Sequence, residues 1–486
     1  MEVMEKLLTA GLILALAACS LQPVYERPAA PVAGEFPTGA AYKAAPAGGS
    51  PAVEIGWRDF LADPRLQRLV EIALANNRDL RVAMLNVAQV QAQYRIQRAA
   101  LLPQVSGFAD ASHSRTPGSL TQSGNPLVTH AYEAGVSAAW EIDFFGRLQS
   151  LSDAALEQYF ATAYARQAAE ILLVSQVADQ YLTMLALDEQ LAVTKQTLET
   201  AQASYKIVKL QFDTGTAPEL TLRQAESVVE QANATNAAQV RARAQAENGL
   251  VLLMGQSLPA DLPPSLPIGE QKILADIPAG LPSDLLTRRP DILQAEALLR
   301  AENANIGAAR AAFFPRISLT GSLGTASATL GGLFGGGSQA WSFSPSITVP
   351  IFEGGALRAN LDVAKIQKDI GIAQYEKAIQ TAFREVADGL AARGTFDEQL
   401  ASQERFTASQ RRQLELADFR YRNGADTYLN VLIAQTALYN AELTLVSTRL
   451  QRLTGLVDLY RSLGGGWIER AGEQPRPADE GARRDS

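Results

Sequence analysis

Cysteine and histidine are nearly missing from this chain of 486 residues, which has one Cys and two His. A Cys/His zinc cluster, an iron–sulphur centre and a disulfide framework are therefore excluded within one chain, and only carboxylates remain to hold a metal. No lysine-rich block occurs either. The 43 Lys and Arg are interspersed with 51 Asp and Glu, for a net charge of -8, which makes no surface for nucleic acid. Past the amino terminus there is no run of ~18 apolar residues, so spanning helices are excluded while a barrel of strands is not. Catalytic signatures are absent as well. No nucleophile elbow occurs, and Gly331-Gly332 with Gly335-Gly336-Gly337 lacks the Lys-Ser/Thr and following helix of a phosphate loop. Those glycines read as a flexible external loop. His113 and His130 flank another expected loop and read as solvated loop residues.

What is present begins with a processing segment. Residues 1–18 have Lys6 in a polar start, an apolar core from Leu7 to Leu16, and Ala17-Ala18 before Cys19. This is too short to span a membrane and is discounted from the fold. Leu16-Ala17-Ala18-Cys19 resembles the lipobox of bacterial lipoproteins, in which the cysteine becomes the lipidated first residue. The alternative is a chance small-residue cleavage site with an unpaired Cys. Ser20, where an Asp would retain such lipoproteins in the inner membrane, resembles the outer-membrane sorting state. From Gln22 to Ser50 the chain is rich in Pro, Ala and Gly and reads as an extended tether, within a segment 19–59.

The rest contains one long pattern twice. Asn77-Arg78-Asp79-Leu80 recurs as Arg289-Pro290-Asp291-Ile292, and Ala99-Ala100-Leu101-Leu102-Pro103 as Ala311-Ala312-Phe313-Phe314-Pro315. Both pairs are about 212 residues apart. Phe212-Asp213-Thr214-Gly215 recurs as Tyr421-Arg422-Asn423-Gly424, about 209 residues on, and a short loop difference reconciles the two offsets. Two halves follow, 60–255 and 282–462, joined by a linker 256–281 and followed by a tail 463–486 expected to be disordered after Trp467. Each half reads as helix, strand, loop, strand, very long helix, turn, helix.

Pro64 to Leu102 carries no internal Pro or Gly and predicts one helix of about 38 residues. Leu148 to Gln211 is likewise uninterrupted and predicts a helix of about 95 Å at ~1.5 Å per residue. Gly215 and Pro218 stop it and start an antiparallel return, Glu219 to Leu253. Leu357 to Tyr421, a turn at Asn423-Gly424, and Tyr428 to Leu463 repeat the hairpin, with Gly371, Gly389 and Gly394 expected to weaken its long arm. Pro290 reads as a helix start. Four stretches, about 103–113, 131–143, 315–325 and 340–350, have period two. Ile317, Leu319 and Leu323, and Trp341, Phe343, Ile347 and Val349, alternate with Arg, Ser and Thr. Val136, Trp140 and Ile142 alternate with Ser137, Glu141 and Asp143. Strands of this length can cross a membrane, but four cannot close a barrel alone. They form either a soluble sandwich or one wall pooled from several protomers.

These features in order resemble the outer-membrane factor (TolC-like) family of tripartite efflux and type I secretion systems, in its lipoprotein branch with NodT-like and OprM-like proteins. The resemblance rests on Leu16 to Cys19, Trp57-Arg58-Asp59-Phe60, Asp63-Pro64-Arg65-Leu66, Arg288-Arg289-Pro290-Asp291-Ile292, Phe313-Phe314-Pro315, Pro350-Ile351-Phe352-Glu353-Gly354-Gly355, and Tyr421 to Gly424 with Tyr428-Leu429. It implies a mixed α and β membrane protein: a homotrimer whose four strands per chain make a 12-stranded outer-membrane β-barrel, continued by a long periplasmic α-helical barrel. It implies a passive efflux channel lipidated at Cys19 in the outer-membrane lipid, no cofactor and no enzyme activity. Its partners would be a periplasmic adaptor and an inner-membrane transporter of the resistance-nodulation-division type. A non-conducting coiled-coil envelope scaffold, or a protein-secretion duct of the same fold, is the alternative.

The resemblance also implies a gate. The turns Gly215-Thr216-Ala217-Pro218 and Asn423-Gly424-Ala425 are the expected adaptor-facing tips, and Tyr421 matches the family's tip tyrosine, with ordinary helix packing as its alternative. The family's two gate aspartates fall on Asn430 and Ile433 here, so an acidic constriction from that pair is missing. Asp426 is the candidate for a substitute ring, with a solvated turn residue as its alternative.

Overall fold

The structure is a computed structural model that describes residues 21–42, 50–275 and 277–472. Cys19, the apolar leader and the charged finish beginning at Glu473 lie outside the described residues. In chain order the elements are α1 (Trp57–Phe60), α2 (Pro64–Asn76), α3 (Arg78–Ala99), β1 (Gln104–Thr116), β2 (Leu127–Ile142), α4 (Arg147–Asp213) and α5 (Glu219–Met254). The second half follows with α6 (Pro282–Arg288), α7 (Pro290–Ala311), β3 (Arg316–Ser327), β4 (Gln339–Thr348), α8 (Ala356–Arg422) and α9 (Tyr428–Ser462). From α2 on, the second half repeats the order of the first, and α4 and α8 each run 67 residues. No described helix is long and apolar enough to cross a membrane.

Two features depart from the expected helices. The helix predicted over Pro64 to Leu102 is two helices, α2 and α3, because Asn77 leaves the helical conformation and caps α3. Its Oδ1 accepts the Leu80 amide at 2.8 Å, and its Nδ2 donates to the Leu253 carbonyl at the end of α5, also at 2.8 Å. Gly255, which ends α5 at φ +67°, lets the chains approach there, since a Cβ would fall 2.3 Å from the Asn76 carbonyl oxygen. Arg289 interrupts the second half in the same way, and Pro290 starts α7 as expected. Conversely, α8 runs unbroken through Gly371, Gly389 and Gly394. At the first two a Cβ would come within 3.2 Å of Leu299 and 3.0 Å of Leu459, so the missing side chain admits a neighbour instead of loosening the helix.

The described chain clusters into two compact units. One holds the N-terminal segment to Ala29, Asn86–Thr162 and Gln294–Glu376, and hence all four strands. Each strand pairs antiparallel with the next in the order β1-β2-β3-β4. The first hairpin extends beyond the expected strands, to Thr116 and from Leu127, because turn chemistry begins only at Pro117-Gly118 and ends at Gly124-Asn125-Pro126. His113 and His130 consequently lie within strands, as cross-strand partners, and not on either side of the loop.

In the same unit the tether is seated, not free. Arg310 donates to the Leu21 carbonyl at 3.2 Å, and Asn303 to that of Pro23 at 2.7 Å. The Arg300 guanidinium lies 5.1 Å from the Tyr25 ring centroid. Arg27 forms a bidentate pair with Glu296 at 2.9 and 2.8 Å. Gly307 completes the ladder, for a Cβ there would stand 2.9 Å from the Gln22 Cα. Residues 296, 300, 303, 307 and 310 are one face of α7, spaced three and four apart. Composition alone hid this, because the strap is held by its carbonyls and by two polar side chains more than by apolar burial.

The other unit holds Ala30–Leu85, Ala163–Leu293 and the chain from Lys377. Trp57, Phe60, Leu66, Leu69, Tyr181 and Leu182 are among its buried side chains. Asp63 caps α2 through the amides of Arg65 and Leu66, and its other oxygen accepts the Tyr181 hydroxyl at 3.0 Å and the Gln271 amide at 2.8 Å. Arg289 is buried and donates to Asp291, Glu385 and the Ser462 carbonyl. These bonds account for two of the sequence landmarks as structural fastenings. The start of the tail is folded too: the Trp57 and Arg58 amides donate to the carbonyls of Ile468 and Glu469. The Arg166 guanidinium lies 5.0 Å from the Trp467 ring centroid. Leu463 and Ile468 are buried, which gives this segment an apolar anchorage.

Candidate functional site

The strand register separates two faces. Because side chains alternate, partners across a ladder share a face. One face carries Val136 beside Leu323 and Trp341, Trp140 beside Leu319 and Pro345, and Ile142 beside Ile317 and Ile347. On the other, Ser318 meets Ser346 at 2.7 Å and Ser322 meets Ser342 at 2.8 Å, oxygen to oxygen. Glu141 on that face is held by Arg147 through bonds of 2.8 to 3.0 Å. The polar face has room for a close backbone approach where Gly135 pairs with Gly324, since a Cβ on Gly324 would lie 2.2 Å from the Ala134 carbonyl oxygen.

Among the described residues nothing covers the apolar face. Trp341 is 74% exposed and Ile347 66%, far beyond what scattered surface residues require. Among the described residues β1 and β4 each have a partner on one side only, so both edges of the sheet keep unpaired peptide groups there. Where the strands leave for the helices, Phe145 stacks on Phe314 with centroids 4.8 Å apart, and Ile351 and Phe352 are fully presented. A groove of about 680 Å³ lies among these residues. No group of three or more His, Cys, Asp or Glu among the described residues is placed to hold a metal.

At the ends of the hairpins the two turns have the same construction. Gly215 (φ +79°) and Gly424 (φ +70°) take the left-handed conformation that closes a helix. The next amide in each turn reaches back five residues: Thr216 to the Gln211 carbonyl at 2.8 Å, and Ala425 to that of Arg420 at 2.9 Å. Pro218 then precedes α5, and Asn423 ties its side chain to the Phe419 carbonyl. The turns are brought together, for the Tyr421 hydroxyl donates to Gln211 at 3.4 Å. Val208, Leu222, Tyr428, Val431 and Leu432 form a small apolar cluster beneath, with Tyr421 packed against it.

Asp426, Asn430 and Tyr421 were singled out separately in the sequence, and the first two are one unit. Asp426 Oδ1 accepts the Thr427 amide at 2.8 Å and the Asn430 amide group at 2.6 Å, while Oδ2 accepts Arg420 Nε at 3.1 Å. The backbone N–H of Thr427, then Asn430 and Arg420, hold its carboxyl below the usual carboxylate range. The carboxylate is thus engaged by its own hairpin and is not a bare charge. Sequence reasoning missed Arg420 and Gln211, and named Tyr428 as a landmark without placing it at the tips. Arg420 was findable, because a cation and an acid flanking a tight Asn-Gly turn are brought face to face by it.

The profile of the family described as outer membrane efflux protein matches this chain twice, over residues 69–256 and 281–465. The antibiotic efflux pump outer membrane protein ArpC and the toluene efflux pump outer membrane protein TtgC, both of Pseudomonas putida, are each 48% identical over 465 residues, covering 95% of this chain and 96% of theirs. Among solved structures, the open state of the MtrE outer membrane channel of Neisseria gonorrhoeae is similar with a TM-score of 0.84 and 40% identity, covering 94% of this chain and 100% of that one. With its doubled helical hairpins, its two-faced sheet and these relatives, the chain belongs to the outer membrane efflux protein family, the TolC-like channels.

Proposed function

We propose that the chain is the exit duct of a tripartite efflux pump, a homotrimer that lets drugs or other small molecules pass from pump and adaptor to the exterior. The sheet carries this reading: it has one greasy face, one hydroxyl-rich face and two open edges. Within lipid each unpaired peptide group costs several kcal/mol, on the order expected for an unsatisfied polar group, so open sheets do not persist there. Neighbouring copies remove that cost by closing the wall. Three copies pool 12 strands, with the apolar face toward lipid and the Ser, Thr and Glu face lining water.

The long helices continue the duct into the periplasm. Cys19 carries the lipid anchor in the outer membrane. The tips at Gly215, Thr216, Pro218, Asn423 and Gly424 meet the periplasmic adaptor, and Tyr421 with the Asp426–Asn430 unit forms the gate. Relatives named for antibiotic and toluene efflux support small molecules as cargo. The chain catalyses nothing; energy and selectivity come from an inner-membrane transporter of the resistance-nodulation-division type. A non-conducting scaffold would leave the two-faced sheet without a role.

Cysteine pairs test the closure. Ser106→Cys is combined in turn with Ser342→Cys, Ser344→Cys and Ser346→Cys, and oxidation in membranes is expected to give covalent dimers and trimers and nothing larger. Ser137→Cys with Ser322→Cys, partners within one sheet, is the internal control. Internal crosslinking without any intermolecular product from the three pairs would defeat the proposal.

A further inference from the structure

The two histidines of the sequence stand directly opposite each other. His113 of β1 and His130 of β2 are cross-strand partners, their Nδ1 atoms are in contact, and the ring centroids are 4.7 Å apart at 70°. Both side chains are exposed. Strand pairing gives each residue one partner on its face, so the register singles out His130 for His113 from every other position on β2. The same rung pattern continues with Ser114 and Thr129, whose hydroxyl oxygens are 2.8 Å apart, and the Tyr132 ring stands edge-on to His113 at 5.4 Å.

We propose that His113 and His130 form a two-imidazole clip for a late first-row divalent transition metal, with Cu2+ bound ahead of Zn2+. In the Nδ1 contact one ring donates an N–H and the other accepts it. A metal ion takes the proton's place when the donor ring exchanges its N–H through water onto its own Nε2, so that both Nδ1 atoms offer lone pairs at ~2.0–2.1 Å, which places them roughly 3 Å apart. A small outward rotation of either ring provides that spacing, while the backbone pairing on both sides of the rung keeps the ligands positioned. Imidazole suits Cu2+, Ni2+ and Zn2+, and the order of intrinsic affinities puts Cu2+ first. No further His, Cys, Asp or Glu completes a set of three among the described residues. The ion therefore keeps open positions for water, which a tetragonal Cu2+ site accommodates better than a tetrahedral structural Zn2+ site does.

The clip sits at the loop end of the β1–β2 hairpin, away from the helix that enters β1 at Gln104. A bound ion there bridges the two strands just before the chain turns at Pro117, so it acts as a removable staple on this hairpin.

The test uses the full chain, purified in detergent with a tag free of histidine, stripped of metal, titrated with copper in a non-coordinating sulfonate buffer and freed of unbound ion by gel filtration. One Cu2+ per chain is expected, with an electron paramagnetic resonance spectrum split by two nitrogens. His113→Gln and His130→Gln are each expected to weaken binding at least tenfold and to lose the two-nitrogen pattern. Both positions are exposed, and unchanged migration before and after heating verifies that the variants fold. A wild-type spectrum with oxygen-only ligation, uptake equal in wild type and both variants, or no uptake by the wild type overturns the proposal. The first and last of these need no variant.

Discussion

Glu296→Ala is expected to release the N-terminal strap. The Glu296 side chain is only 3% exposed and receives Arg27 on both oxygens, Arg300 at 2.9 Å and the Tyr25 hydroxyl at 3.3 Å. Breaking a buried ion pair by removing one partner costs ~3–5 kcal/mol when the other charge is stranded. Here Arg27 and Arg300 are 41% and 43% exposed and return partly to water. Glu157 is also relieved, since burial holds its carboxyl above the usual range and Glu296 adds to that, against Arg300. These two effects lower the cost to about 2 kcal/mol. Opening of the strap should then rise roughly thirtyfold. Chymotrypsin cleavage after Tyr25, in the regime where closing outpaces cutting, reads that open population. Glu296→Gln, which keeps an acceptor but no charge, should fall between. Burial alone would raise the Glu296 carboxyl, yet the hydrogen bonds from Arg27 and Arg300 outweigh it and hold it below the ordinary value. Its contribution is therefore complete above the unfolded value of ~4.3 and is lost only as pH falls through the lower folded value. An alanine variant cut at the wild-type rate, or protection that fades between pH 7 and 5, would refute this reasoning.

Arg289→Ala removes a buried guanidinium and strands Glu385 and the Ser462 carbonyl; a loss of ~3 kcal/mol is expected, read as a lower melting temperature by circular dichroism. Asp179 is pushed up to about 7 by burial, then by Asp458, against Arg461. Its folded value lies above its unfolded one, so the chain should gain stability as pH falls from about 7 to 4, and Asp179→Asn should flatten that slope and stabilise at pH 8 by on the order of 1–3 kcal/mol. Gly324→Val drives a side chain into the Ala134 carbonyl and should abolish the heat-modifiable form, whereas Gly107→Ala, whose nearest neighbour is 3.9 Å away, should not. Asp426→Asn dismisses the Arg420 pair; a reduced cation preference in single-channel recordings is expected, and an unchanged preference would remove Asp426 from the gate.

The long helices and the strand faces were legible because each follows from local periodicity. Sixty-odd residues without Pro or Gly have little alternative to a helix, and Ile317 to Leu323 can bury one face only by alternation. The break at Asn77 was not legible, because its cause is remote: a carbonyl at the end of α5, reached through the Asn77 amide group. The seated strap was hidden for a related reason, since Leu21 and Pro23 are held by carbonyls, which every residue type possesses. Tolerance of Gly389 within α8 likewise depends on Leu459, far along the chain. At the tips the turn glycines were readable from spacing, but the engagement of Asp426 required knowing that the turn folds Arg420 back onto it.

The central claim is that this chain makes a water-filled conduit. Single-channel recording of the purified chain in a planar lipid bilayer, with its migration followed before and after heating, tests that claim most directly. A heat-modifiable trimer giving stepwise, ohmic conductance is expected. A monodisperse monomer that inserts no conductance would contradict it.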